Sequence, residues 1–298
     1  SLVRQMIESG RSDIIAHQLY KIWKFAGIEP SSIHPRDSAT PRSILCRQLE
    51  SIIGSVPSKR KVAIFCRAIV LDCAKQEISQ SGHTRQQTRD QLDGVCKTDI
   101  LPFLCGVMLP SLAKDDALVD SIVQFIILSP PTSYHGETRP SQTYPTIQAI
   151  DRAVPRCLAH LLALTRESRV NEAKSFQDVS DSGETDADSH HSFMEVHGFL
   201  MNLYTAANVW CEDVFVTRTD TRRQQYVTEF LLQPLECKLL TKEDLQKSLS
   251  DDGTTLAAVL VQGVSLRLDV SRPESIRIDG MLVAEALATL LGQTLRFD

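Results

Sequence analysis

Residues 58–73, SKRKVAIFCRAIVLDC, decide the fold class. Val62, Phe65, Cys66, Ile69, Val70 and Cys73 recur three and four positions apart, while Lys59, Arg60, Lys61, Arg67 and Asp72 fall between them. That period places the apolar set on one face of an α-helix and the charges on the other. Pro57 and Ser58 stand where a helix begins. The same grammar repeats on both sides of this stretch.

Upstream, Ser12 opens a run with Ile15, Leu19, Ile22, Trp23 and Ala26 on one stripe, closed by Gly27. A loop holding Pro30 and Pro35 follows. Thr40-Pro41 is a cap followed by proline at the first helical position, which needs no N–H. The stripe Leu45, Leu49, Ile52 and Ile53 runs from there to Gly54. Downstream, the polar run 76–93 reads as a helix tail, a loop and a short exposed helix. Thr98 or Asp99 caps an apolar helix, 100–109, that stops at Pro110. Asp115 or Asp116 caps the next, with Leu118, Ile122, Phe125 and Ile126 facing inward. Pro130-Pro131 ends it, because proline disfavours helical backbone in the residue before it. A proline- and tyrosine-containing loop extends to Pro145. A long helix spans about 146–166, with Leu158, Leu161 and Leu162 inward and Pro155 expected to kink or split it.

Residues 167–192 are polar, acidic and poor in large apolar groups. Burial there cannot offset the entropy of ordering, so the stretch reads as a disordered linker or exposed loop. Ser192 and Glu195 then have capping-box spacing. The helix they open carries Phe193, Val196, Leu200, Leu203, Ala207 and Trp210. Residues 224–232 continue the helical pattern up to Pro234, and Thr241 with Asp244 starts a short helix. The end of the chain changes character. Val264, Leu266, Leu268 and Val270 alternate with polar residues, residues 271–275 have turn composition, and Ile276 and Ile278 alternate again. This predicts a small β-hairpin over 264–279. A final helix, 281–291, has Glu285 as its one charge, which implies burial on most faces or contact with a partner.

The expectation is therefore a mainly α protein. It would be an antiparallel helical bundle or an α-solenoid of the HEAT or armadillo kind, with one small hairpin near the C-terminus. Three regions follow: a helical domain 1–166, the acidic linker 167–192, and a helical segment 193–298. The chain of 298 residues is long enough to bury roughly three quarters of its unfolded surface without metal or disulfide staples.

Composition bounds the chemistry. The eight cysteines, at 46, 66, 73, 96, 105, 157, 211 and 237, include no Cys-x-x-Cys pair and lie mostly among apolar residues. They read as buried free thiols. No Asn-x-Ser/Thr acceptor occurs, and both facts fit a reducing cytosol or nucleus. Residues 1–10 mix Arg4 and Glu8 with apolar positions, unlike the apolar core of a leader. The stretch 122–128 is too short to span a bilayer. The net charge is −5. Asp178, Asp181, Glu184, Asp186 and Asp188 in the acidic stretch account for all of it. The remainder carries no overall field to steer nucleic acid or an anionic membrane.

Motifs for catalysis are missing. There is no Gly-x-Gly-x-x-Gly, no Walker Gly-Lys-Ser/Thr, no Gly-x-Ser-x-Gly elbow and no His-Glu-x-x-His. No catalytic, cofactor-binding or metal-ligating residue is assigned, and no cofactor is expected. Lys59, Arg60, Lys61 and Arg67 form one candidate basic patch, and Arg218, Arg222 and Arg223 a second. Phosphate contact needs several such cations on one surface. The most specific feature is the stretch 178–186, where Ser180, Ser182 and Thr185 are set among carboxylates. Acidophilic kinases favour such acceptors, and phosphate there would create an arginine-binding epitope. Asp181-Ser182-Gly183 also resembles the core of a degron read by F-box ubiquitin ligases, with Asp186 in place of its second serine. The reading is a non-catalytic interaction or scaffold subunit of an intracellular complex, regulated by phosphorylation of its acidic stretch, with protein partners. The alternatives are a helical enzyme without short motifs and a helical nucleic-acid binder using residues 59–67 and 218–223.

Overall fold

The computed structural model describes residues 2–25, 41–80, 94, 100–128, 144–177 and 197–297. Among them the chain is mainly helical and forms no β-strand. It divides into two compact units, Ser1–Leu161 and Leu162–Asp298. The dividing point falls within one long helix.

The first unit contains α1 (Leu2–Glu8), α2 (Ser12–Phe25), α3 (Pro41–Ser55), α4 (Lys59–Gln80), α5 (Leu101–Val107), α6 (Leu109–Lys114) and α7 (Asp116–Ile122). A π-helical turn, Val123–Ile127, continues α7, and Leu128 N–H closes it on Val123 O at 2.9 Å. The stripe read from the sequence of α4 is buried in full. It packs against α2, α7 and the π-helical turn. Local signals act as expected: Ser58 Oγ accepts from Lys61 N–H at 3.4 Å, and Asp115 Oδ1 accepts from Leu118 N–H at 3.0 Å. Trp23 and Tyr20 from α2 each lie 5.1 Å from the Phe103 ring of α5. Ile22 departs from the expected inward stripe and is exposed. Phe125 is half-buried rather than inward, under the Arg60 guanidinium.

Helix α8 (Tyr144–Gln177) runs without a break through Pro155 and on past Arg166. Residues 167–177, expected as the start of a linker, are therefore helical. Buried Val154, Cys157, Leu158 and Leu161 flank the proline, and such packing can outweigh its missing hydrogen bond. The rest of that stretch, the capping pair Ser192 and Glu195, the Thr98 or Asp99 cap, and residues 26–40, 81–93 and 129–143 lie outside the described residues.

The second unit continues with α9 (His197–Trp210), α10 (Asp213–Arg218), α11 (Thr221–Glu236), α12 (Lys242–Gln246), α13 (Leu256–Arg267) and α14 (Glu274–Leu290). Helix α11 ends two residues beyond Pro234, which sits in its last turn. The hairpin expected over 264–279 is not formed. Val264 and Leu266 belong to α13, Leu268 caps its end, and Ile276 and Ile278 belong to α14. Of the alternating residues only Val264 lies in the buried helical set of α13, Leu256, Val259, Leu260, Gly263, Val264 and Arg267. Thr255 starts that helix by accepting from Ala258 N–H at 3.2 Å. In α14 the buried set is Ile276, Asp279, Gly280, Val283, Ala284, Leu287 and Ala288, again with helical spacing. The one extended pairing among the described residues is an isolated bridge, Ser248 to Thr255. Helix α14 packs on α11 and α13, and α13 also packs on α9. The near absence of charge in 281–291 thus reflects an inner face plus a half-covered flank, with Thr289 exposed.

No helix among the described residues is long and apolar enough to cross a membrane.

Two glycines give opposite expectations. A Cβ on Gly263 would sit 2.3 Å from Trp210 Cζ3. Gly263→Ala should therefore destabilise the second unit by about 1–3 kcal/mol or more through overpacking. Gly54 lies in α3 with open space around it, so Gly54→Ala should stabilise the first unit by about 0.5–1 kcal/mol. Urea unfolding followed by tryptophan fluorescence, with Trp23→Phe or Trp210→Phe backgrounds to isolate each unit, measures both.

Candidate functional site

The first basic cluster is placed on the outer side of α4, where its members turn to separate partners. Lys59 pairs with Asp115, the residue that caps α7. Lys61 Nζ donates to the carbonyl of Glu8 at the end of α1. The Arg60 guanidinium lies over the Phe125 ring, 5.0 Å from its centroid. Arg67 is half-buried two turns further along. Three of the four cations thus hold neighbouring elements of their own unit. In the second cluster, Arg218 is exposed at the end of α10, and Arg223 lies 5.8 Å from the Phe215 ring centroid. The clusters belong to different units. Ser180, Ser182 and Thr185 lie outside the described residues.

Between α2 and α4 the structure assembles a polar seam that sequence reading had not joined. His17, Tyr20 and Lys24 lie along one side of α2; Asp72, Gln76 and Glu77 face them from α4. His17 Nδ1 lies 3.2 Å from Asp72 Oδ1 and 3.3 Å from Gln76 Nε2. Gln76 also donates to Asp72. The Tyr20 hydroxyl and the Lys24 ammonium both reach the nearly buried Glu77 carboxylate. The signal was available as i, i+3, i+7 spacing on one helix and i, i+4, i+5 on the other. What was missing was the knowledge that these two helices pack together.

In the second unit the central polar group is Arg267, the last residue of α13, whose side chain is fully buried. Its guanidinium carbon lies 3.6 Å from the Trp210 ring centroid. Nη1 donates to Trp210 O at 2.6 Å and to Gly263 O at 3.4 Å. Burial pulls its pKa down to about 9, while the charge of Asp279 on α14 acts in the opposite direction. The group remains a cation at neutral pH. The Trp210 indole N–H donates to Thr228 Oγ1 at 2.9 Å, and Thr228 donates to Gln224 O at 2.9 Å, joining α9 to α11. The strand reading had Arg267 pointing to solvent. Its helical spacing from Val259, Leu260, Gly263 and Val264 is the signal that would have placed it inside.

A second joint links α8 to α12. Arg166 donates twice to Asp244, at 2.7 Å and 3.0 Å. Asp244 also closes a capping box with Thr241: its carboxylate accepts from Thr241 N–H at 2.9 Å, and its own N–H donates to Thr241 Oγ1 at 3.1 Å. Burial alone would raise the Asp244 pKa. The hydrogen bonds from Arg166 and Thr241 outweigh it and hold the carboxyl below its ordinary value.

The described cysteines form no disulfide with one another; Cys46, Cys66, Cys73 and Cys157 are buried and Cys105, Cys211 and Cys237 half-buried. Burial pushes Cys66 and Cys105 up to about 12. Cys73 is pushed well up by burial and then by Asp72 and Glu77. Cys211 is raised by burial and Glu212 against the opposing charge of Arg267. A raised thiol pKa removes the thiolate that a nucleophile or metal ligand needs. Among the described residues no group of three or more His, Cys, Asp or Glu side chains is arranged to hold a metal ion. Comparison with known proteins finds no matching family, no matching curated protein and no matching solved structure.

Two measurements follow. Because the Asp244 pKa is lowered on folding, its stabilisation is present above the unfolded carboxyl value and is lost as pH falls through the folded value. Asp244→Asn should lower stability at neutral pH and flatten the acid limb of the stability–pH curve. A double-mutant cycle with Arg166→Met should give a coupling of about 0.5–3 kcal/mol. Separately, Cys66 and Cys73 should resist iodoacetamide at pH 8 in the native protein and react only on unfolding, as read by peptide mass spectrometry.

Proposed function

We propose that the chain is a non-catalytic protein–protein interaction or scaffold subunit, with its helices stacked as a bundle or an α-solenoid of the HEAT or armadillo kind. The observation that carries this reading is the exposure of large apolar side chains on the outer faces of helices and on the α13–α14 turn. In the second unit Val270 is 88% exposed, Val214 59% and Val261 53%; in the first, Leu2 is 71% exposed. Arg272 on the α13–α14 turn pairs with Asp213 at 2.7 Å, which ties the segment bearing Val270 to the helix bearing Val214. A surface bearing Val214 and Val270 would suit burial against another protein.

The use of the polar groups supports the same reading. Carboxylates, cations and imidazole join one helix to the next, and the pKa shifts of the thiols run away from reactivity. Among the described residues such groups position helices and do not assemble a nucleophile with its base. The proposed partners are proteins. Phosphorylation at Ser180, Ser182 or Thr185 would regulate assembly by adding about −1.5 to −2 charges per site for an arginine-rich surface to recognise.

Affinity purification of the tagged protein from its native cells, with quantitative mass spectrometry, tests the proposal. Reproducible stoichiometric partners are expected. Their recovery should fall at least several-fold with Val214→Glu and Val270→Glu together, while the melting temperature stays close to wild type, since surface substitutions change stability by about 0.5 kcal/mol or less. Phosphatase treatment should release a subset of partners. Recovery of the bait alone would overturn the stable-complex form of the proposal.

A further inference from the structure

We draw no further inference here: the strongest candidate, the buried cluster of Arg267, Asp279 and Trp210 where α9, α13 and α14 meet, belongs to the helix junction already described, and with the Arg267 side chain fully enclosed no described residue opens a way to it for a ligand.

Discussion

Each unit depends on an indole ring seated directly on the backbone of a neighbouring helix. Trp23 of α2 lies against Gly106 of α5, where an added Cβ would come within 2.9 Å of Cη2. Trp210 of α9 lies against Gly263 of α13, where the corresponding distance is 2.3 Å. These are the two tryptophans of the chain. A glycine at such a point lets the helix axes approach more closely than any side chain would permit, and the ring then fills the space to interior packing density. Each approach gathers further side chains of its unit. In the first, Tyr20 and Phe103 extend the aromatic cluster; in the second, Arg267 stacks on the same ring that Gly263 admits.

Carboxylates at the helix joints do two things at once. Asp115 caps α7 and holds Lys59 of α4. Asp244 closes the capping box of α12 and holds Arg166 of α8. Glu77 accepts from Tyr20 and pairs with Lys24. A cap is worth about 1 kcal/mol and an exposed ion pair less. When one carboxylate makes both, its loss leaves a helix end and a cation unsatisfied together. These sites therefore act as coupled networks rather than as sums of pairs. They also tie secondary structure to tertiary structure: the residue that starts a helix also joins it to one distant in sequence.

Legibility in the sequence followed the range of the interaction. Ser58, Asp115 and Thr241 were readable because a cap acts within one turn. The face of α4 was readable because its period is unbroken over four turns. The segment 264–279 was misread because the alternation of Val264, Leu266, Leu268 and Val270 spans a helix end, a turn and little else. Read back to Leu256, Val264 belongs instead to a period near 3.6 with Val259, Leu260, Gly263 and Arg267. The long helix α8 overran its expected end because polar residues 167–177 continue a helix already established by the apolar residues before them. The cations at 59–61 looked like one patch because spacing shows only that they share a helix; their partners, Asp115, Phe125 and the Glu8 carbonyl, are distant in sequence.

The sequence by itself determined the helical class, the starts of α2, α3, α4, α7 and α12, the inward stripe of α4 and of the described part of α9, and the concentration of acid in residues 178–188. Each depends on local spacing, which the chain carries in one dimension. Only the tertiary structure decided that Arg267 meets Trp210, that His17 meets Asp72, and that the basic residues of α4 hold neighbouring helices. These depend on which helix faces which, and that choice is made by the collective burial of apolar surface over separations of tens to more than fifty residues. No local pattern encodes it.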